Sequence, residues 1–127
     1  MSRENVDLVR AIKEGWIEGV STSHLIAPDL EYVNPPYAVE PGTVKDRETL
    51  FKVRDVYPNF RLEPERYIDA GHDVVVVIGM ARGTASSGVE IQRRQGYVWT
   101  VRDGLAVRFQ WFNDPAEALE AAGLEAP

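Results

Sequence analysis

Arg93 and Gln95 are the polar residues of this sequence whose positions best suit ligand binding. They lie in the segment 89–113, VEIQRRQGYVWTVRDGLAVRFQWFN, which predicts two β-strands joined by a turn. On an extended chain both side chains point to the same side as the rings of Tyr97 and Trp99. A guanidinium and an amide on an apolar wall can hold an oxygen of a bound molecule. The alternative is that both side chains lie at the exposed mouth of the hairpin and only solvate it.

The turn at Asp103 and Gly104 decides which side chains share a face of this hairpin. A two-residue turn pairs Trp99 with Arg108, which mixes rings and polar chains on both faces. A bulge with Gly104 in the left-handed conformation pairs Trp99 with Val107 instead, and it sorts the faces. We therefore predict the bulged register. It places seven apolar side chains on one face: Tyr97, Trp99, Val101, Leu105, Val107, Phe109 and Trp111.

The other titratable residues have structural explanations. His24 falls in a short helix and His72 in a turn, while Asp73 and Asp103 also stand at turns. Asp114 precedes a proline and a glutamate three residues on, which is the pattern of a helix cap. No carboxylate is identified within the predicted pocket, so proton abstraction has no evident base.

Composition and charge narrow the class of protein. The 127 residues suffice for one domain, and 44% hydrophobic with 27% charged residues are globular values. A formal charge of −6 argues against binding nucleic acid or an anionic membrane. The chain has no cysteine, begins with the charged segment MSRENVDLVR and has no long apolar run, so a cytoplasmic location is expected. We expect neither a cofactor nor a metal ion.

The first half of the chain predicts mainly helices. The N-terminal segment predicts a long amphipathic helix, since its apolar residues recur at steps of three and four: Val6, Val9, Ile12, Trp16, Ile17 and Val20. A short second helix capped by Ser21 or Thr22, a strand Leu30–Asn34 and a loop Pro35–Val44 follow. Asp46 is a plausible cap for a third helix that extends to about Val56.

The second half predicts strands. Asn59–Asp69 forms one, and its Pro64 requires an edge or bulged position. Val74–Arg82 is apolar on both faces and should be central in the sheet. The long hairpin comes next, and a short helix after Asp114 ends the chain. Helices first and strands afterwards indicate an α+β domain whose helices cover one face of a curved sheet.

At this point the sequence resembles a known family. The segments EGWIEG, PDLEYVNPP, FRLEPERYIDAGHDVVVV and GYVWTVRDGLAVRFQWFNDPAEALEAAG are similar to those of the SnoaL-like branch of the nuclear transport factor 2-like superfamily. The resemblance spans nearly all of residues 1–127 as a single domain. It implies a cone-shaped α+β barrel, in which a curved, mostly antiparallel sheet wraps around a long N-terminal helix. It also implies a deep apolar pocket and a homodimer packed through the sheet.

The resemblance does not fix an activity, because this superfamily includes isomerases, cyclases, epoxide hydrolases, binding proteins and association modules. In the ketosteroid isomerase pattern, the base and the two oxygen-binding groups fall at Asn34, Trp16 and Tyr97, and an asparagine cannot act as a base. Tyr32 and Asn34 match the residues that hold water in limonene epoxide hydrolase. The Asp-Arg-Asp relay of that enzyme is missing, and so are the acidic residue and histidine of the polyketide cyclases.

Our interpretation is a domain that binds a small, largely apolar molecule. The wall of its pocket and the polar groups that orient the ligand are nine residues: Trp16, Tyr32, Asn34, Arg93, Gln95, Tyr97, Trp99, Phe109 and Trp111. If the protein is an enzyme, water addition or isomerisation fits best, with Arg93 or Tyr97 stabilising negative charge. The alternative is a non-catalytic homodimeric module with an incidental pocket. Its interface would be the mixed face Val98, Thr100, Ala106, Arg108, Gln110 and Phe112.

Overall fold

The computed structural model describes residues 2–18, 22–38, 40–50, 52, 61–84 and 87–124, without the side chains of residues 2 and 16–18. It is an α+β fold, as predicted. The elements in chain order are α1 (Ser2–Glu18), a 3-10 helix (Ser23–Leu25), β1 (Ile26–Asn34), β2 (Gly42–Lys45), α2 (residues 48–50 and 52), β3 (Arg61–Gly71), β4 (Val74–Thr84), β5 (Glu90–Arg102), β6 (Leu105–Phe112) and α3 (Pro115–Ala121). None of the helices within these ranges is long and apolar enough to cross a bilayer.

The six strands form one sheet in the order β2-β1-β6-β5-β4-β3. Every neighbouring pair is antiparallel except β1 and β6, which run parallel. The prediction of a mostly antiparallel sheet is therefore confirmed. The sheet is open, with β2 and β3 as its edges.

Each face of the sheet is covered by a different helix. We call the side that packs against Val9 and Ile12 of α1 the α1 face; its buried residues include Val75, Val77, Tyr97, Trp99, Val101, Ala106 and Phe109. The α3 face packs against Ala118 and Leu119 of α3, and its buried residues are Val76, Ile78, Val98 and Phe112. The core thus lies in two layers.

β4 and β3 match their sequence patterns. Residues 75–79 of β4 are buried and alternate between the two faces, which confirms a central strand. β3 is an edge strand, and its pairing with β4 shifts between Pro64 and Arg66. Pro64 has no N–H to donate, and an edge position with a bulge accommodates it.

The predicted hairpin register is wrong in detail. Asp103 and Gly104 have φ values of 53° and 76°, so both occupy the left-handed region and form a two-residue turn. Val101 pairs with Ala106, and the extra residue of the bulge is Val107, after which Trp99 pairs with Phe109. The rings of Tyr97, Trp99, Phe109 and Trp111 still share the α1 face, as predicted. Ala106 joins them there, whereas Leu105 and Val107 are only half-buried.

Two other local predictions need correction. The predicted loop Pro35–Val44 contains β2, which extends to Lys45; all four of its residues are exposed, so no apolar alternation marks it. β2 pairs with β1 through the backbone hydrogen bonds of an antiparallel ladder. The predicted second helix is a single 3-10 turn, and Thr22 makes no side-chain cap there.

The prediction for the third helix can be compared with the structure only at the start of the helix. Asp46 Oδ1 accepts a hydrogen bond from Glu48 N at 2.9 Å, so this cap is confirmed. The predicted end of the helix near Val56, and Asn59 at the start of the next predicted strand, lie outside the described residues. Asp114 caps α3 as predicted, since its carboxylate accepts from Ala116 N.

α3 covers much of the surface that suggested a sheet-to-sheet dimer. Val98 and Phe112 are buried beneath it, and Ala106 lies on the α1 face. The proposed interface is therefore reduced to Thr100, Arg108 and Gln110. A homodimer through the sheet stays a prediction.

Gly96 in β5 allows α3 to lie directly on the sheet. A Cβ atom at this position would lie 2.5 Å from Cβ of Ala118 and 3.1 Å from Cα of Pro115. Two carbon atoms 2.5 Å apart are much closer than their van der Waals distance. The helix therefore has to move if Gly96 is replaced.

We expect Gly96→Ala to lower the free energy of unfolding by about 1–3 kcal/mol, the usual cost of overpacking. Urea denaturation measures it. Ala118→Gly removes the closer of the two colliding atoms, so the cost of Gly96→Ala should be smaller in that background. An equal cost in both backgrounds would show that contact with Cβ of Ala118 is not the cause.

Candidate functional site

An aromatic wall occupies the α1 face of β5 and β6. We define it as Tyr97, Trp99, Phe109 and Trp111. The Phe109 ring lies at its centre, 4.6 Å from the Trp99 ring and 5.6 Å from the Tyr97 ring between centroids. Tyr32 of β1 adds a fifth ring, 5.2 Å from Phe109. These spacings are those of attractive aromatic pairs.

Lys13 of α1 lies against this wall and is only 6% exposed. Its Nζ atom lies 4.3 Å from the ring centroid of Tyr97, 5.0 Å from that of Phe109 and 5.1 Å from that of Trp99. An ammonium at such distances is attracted by the negative faces of the rings. Burial nevertheless lowers the pKa of Lys13 from 10.5 to about 7, because desolvation disfavours the charged form.

A chain of hydrogen bonds runs along the outer end of the wall. The Tyr97 hydroxyl donates to Gln95 Oε1 at 2.6 Å, and Gln95 Nε2 donates to Asn113 Oδ1 at 2.9 Å. The backbone N–H of Asn113 then donates to the Tyr37 hydroxyl at 2.6 Å. The side chains of Gln95 and Tyr97 are thereby fixed before any ligand arrives.

Trp111 lies at the same end of the wall, where it contacts Asn34 and Tyr37. Its Nε1 atom donates to Asn34 Oδ1 at 2.8 Å. The Tyr37 ring meets the Trp111 ring edge-on, with centroids 6.2 Å apart. Asn34 therefore orients an indole of the wall, which explains the residue without a catalytic role.

A cleft of about 310 Å³ continues the α1 face beyond Tyr97. Its lining residues are Ala81, Arg82, Gly83, Ile91, Arg93, Gln95 and Asn113. Arg82 forms an ion pair with Glu63 and also donates to Gln92. Arg93 makes no hydrogen bond or ion pair with the described residues, so its guanidinium is available to a ligand.

Solved structures resemble this chain over nearly its whole length. TerC, crystallised with polyporic acid, is 26% identical with a TM-score of 0.72, and the match covers 94% of this chain and 98% of TerC. An NTF2-like protein of unknown function from Burkholderia pseudomallei is 29% identical with a TM-score of 0.69, over 92% and 95% of the two chains. A candidate SnoaL-like polyketide cyclase from Jannaschia sp. CCS1 is 17% identical with a TM-score of 0.73, over 99% and 94%. This chain has the nuclear transport factor 2-like fold that these proteins share. No family model and no curated protein sequence matches it.

The fold brings most of the predicted site residues together. Tyr97, Trp99, Phe109 and Trp111 form the wall, Tyr32 packs on it, and Arg93 and Gln95 line the cleft. Asn34 is not part of the wall, but it accepts a hydrogen bond from Trp111. Trp16 belongs to α1, and its side chain lies outside the described part of the chain.

Sequence reasoning missed two residues of this site. Lys13 stands four residues after Val9 and three before Trp16, which places it on the apolar face of α1. That spacing was a usable signal. Asn113 continues the alternation from Phe109 through Trp111, so it too could have been assigned to the α1 face.

Tyr32 and Tyr97 are hydrogen-bond donors rather than bases. Burial raises the pKa of Tyr32 to about 12. Burial first, and then the nearby Tyr32, raise the pKa of Tyr97 still further. Both hydroxyls therefore keep their protons at neutral pH. The described residues contain no group of three or more His, Cys, Asp or Glu side chains able to hold a metal ion.

Lys13 should make stability depend on pH. Unfolded lysine keeps its proton up to about pH 10.4, whereas folded Lys13 loses it near pH 7. Between these values the unfolded state binds more protons, so the free energy of unfolding rises with pH, by at most about 1.4 kcal/mol per pH unit. Below pH 7 both states are protonated, and Lys13 contributes no slope.

Urea denaturation at pH 7 and pH 9 tests this expectation, with Lys13→Met as the matched variant. The wild-type protein should gain about 2 kcal/mol relative to Lys13→Met over this interval. The upper limit of pH 9 keeps the tyrosines protonated in both states. Parallel pH profiles of the two proteins would mean that the pKa of Lys13 is not lowered.

Proposed function

We propose that this SnoaL-like domain binds a small, largely apolar molecule that carries a carbonyl or acidic oxygen. The observation that supports it most is the cleft of about 310 Å³ in which Arg93 and Gln95 continue the aromatic wall. Small-molecule sites are typically clefts of several hundred cubic ångströms, mostly apolar with a few polar groups. This cleft, together with the wall, has that composition.

The two parts of the site have different roles. The apolar side chains of the cleft, Ala81 and Ile91, remove apolar surface of the ligand from water, which contributes to the affinity. At the cleft, Arg93 offers a charged donor to an oxygen of the ligand, and charged hydrogen bonds of this kind are short and strong. Gln95 is held in place by Tyr97 and Asn113, so little side-chain entropy is lost when the ligand binds.

The same groups allow a limited chemistry. A guanidinium and a protonated phenol stabilise negative charge that develops on an oxygen, as isomerisation or water addition requires. Asn34 supplies no base for such a reaction, and its oxygen is occupied by Trp111. A catalytic role would therefore need a proton acceptor other than the residues matched to the ketosteroid isomerase and limonene epoxide hydrolase patterns.

Polyporic acid is the first probe to test, since TerC was crystallised with it and the match covers 98% of TerC. We expect it to bind and to quench tryptophan fluorescence, because Trp99 and Trp111 lie in the wall. Arg93→Gln should weaken binding about 10- to 100-fold, which corresponds to about 1.5–3 kcal/mol for a charged hydrogen bond.

Arg94→Gln is the matched control. It makes the same change of charge one residue away, at a side chain that forms an ion pair with Glu65 at 2.8 Å. Its affinity for polyporic acid should equal that of the wild-type protein. Equal losses in both variants would indicate a general charge effect, and absence of binding by the wild-type protein would refute this ligand class.

A further inference from the structure

The hydrogen bonds around Gln95 have a fixed direction. The Tyr97 hydroxyl keeps its proton at neutral pH, because burial raises its pKa. Its partner among the described residues is Gln95, at 2.6 Å, a usual length for an O–H···O bond and short for an N–H···O bond. A phenol that accepted here from the amide nitrogen would leave its own buried proton without an acceptor. Tyr97 therefore donates, and the atom of Gln95 that faces it is Oε1.

This direction determines how the amide of Asn113 is turned. Since Oε1 of Gln95 faces Tyr97, the nitrogen Nε2 faces Asn113, and it needs an acceptor there at 2.9 Å. That acceptor is Oδ1 of Asn113. The amide nitrogen Nδ2 of Asn113 makes no hydrogen bond with the described residues. The backbone N–H of Asn113 donates to the Tyr37 hydroxyl, so the residue is held at two points.

The polar side chains of the cleft therefore present donors to a ligand. Asn113 contributes both N–H groups of Nδ2, and Gln95 contributes the second N–H of Nε2. Arg93 contributes its guanidinium, which makes no hydrogen bond or ion pair with the described residues. The two amide oxygens each accept a hydrogen bond already. The remaining lining residues add no acceptor side chain.

We propose that the cleft selects a carboxylate on an apolar ligand and holds it with Arg93, Gln95 and Asn113. This inference rests on the proposed function, and it narrows the carbonyl or acidic oxygen of the ligand to a deprotonated carboxyl group. A carboxylate has two acceptor oxygens and no proton, so it can accept from all three side chains. A ketone has a single oxygen. A carboxamide or an alcohol brings N–H or O–H groups that meet only donors.

Charge and side-chain order favour a carboxylate in the same direction. The guanidinium of Arg93 is opposite in charge to a carboxylate, and hydrogen bonds between ionised groups are about twice as strong as neutral ones. An N–H group of a carboxamide that faces other donors loses its hydration without gaining a partner, which is costly. Because Gln95 and Asn113 hold each other, their donors are ordered before the ligand arrives. The cleft should therefore distinguish a carboxylate from a carboxamide of the same shape.

Three naphthalene derivatives of nearly the same shape test this selection by isothermal titration calorimetry on the full chain at neutral pH. They are 2-naphthoate, 2-naphthamide and 2-acetonaphthone, which present a carboxylate, a carboxamide and a ketone on the same apolar body. We expect 2-naphthoate to bind at least about tenfold more tightly than either neutral compound, because its hydrogen bonds are charged. Equal affinities for the three compounds would overturn the inference and leave the proposed function intact.

Asn113→Asp replaces the unused amide nitrogen by an oxygen and keeps the oxygen that accepts from Gln95. The variant should bind 2-naphthoate at least about tenfold more weakly. It should bind 2-naphthamide no more weakly than the wild-type protein, since the new oxygen accepts from the N–H groups of that ligand. Gln92→Glu is the matched control, because it makes the same change of charge on the other face of β5 and keeps the oxygen that accepts from Arg82. Its affinity for 2-naphthoate should equal that of the wild-type protein.

The outcomes distinguish this inference from the proposed function. A protein that binds polyporic acid through Arg93 but does not bind 2-naphthoate overturns the carboxylate and leaves the binding proposal intact. Equal losses in Asn113→Asp and Gln92→Glu would show a general charge effect and overturn the role of Asn113. Circular dichroism establishes that Asn113→Asp is folded, and if it is not, the three compounds on the wild-type protein decide. Binding of neither polyporic acid nor 2-naphthoate overturns both proposals.

Discussion

The offset at Val107 in β6 is the constraint on which the rest of the site depends. The two-residue turn at Asp103 and Gly104, continued without a shift, would set Trp99 opposite Arg108. The unpaired Val107 moves β6 by one residue, so Phe109 lies opposite Trp99 instead. Because side chains alternate strictly along a strand, this single insertion decides whether the rings of β5 and β6 share a face. The aromatic wall, and with it the environment of Lys13, follows from the bulge.

Lys13 is an unusual residue for a buried position, since lysines are almost always exposed. Burying an ammonium costs several kcal/mol, and a desolvated cation–π contact returns about 2 kcal/mol. Burial lowers the pKa of Lys13 to about 7, because desolvation disfavours its charged form. A leucine or methionine at this position of α1 would pack against the same rings without that cost. Titratable groups with strongly shifted pKa values concentrate at functional sites, and Lys13 has both the shift and the aromatic surroundings of such a group.

The fold was largely predictable because its signals are local. The alternation in β4, the proline of β3 and the cap at Asp114 each depend on a few neighbouring residues. The position of the bulge was not predictable, since Gly104 takes a left-handed conformation in both candidate turns and the choice is made by packing across the hairpin. β2 was missed because an exposed edge strand has no apolar pattern. Lys13 was missed although its spacing from Val9 placed it inside, because lysines are almost always exposed.

The charge distribution limits what the cleft can hold. The chain carries a formal charge of −6, yet the residues that line the cleft include two arginines and no carboxylate. Glu63 neutralises Arg82, so Arg93 supplies the one net positive charge of this lining. At physiological ionic strength charges are screened over about 8 Å, so a ligand in the cleft experiences Arg93 more than the distant acidic surface. A carbonyl or a single acidic oxygen is matched by one guanidinium. A polyphosphate brings several charges that one guanidinium cannot neutralise, so the proposed function predicts a preference for apolar ligands with one acidic or carbonyl group.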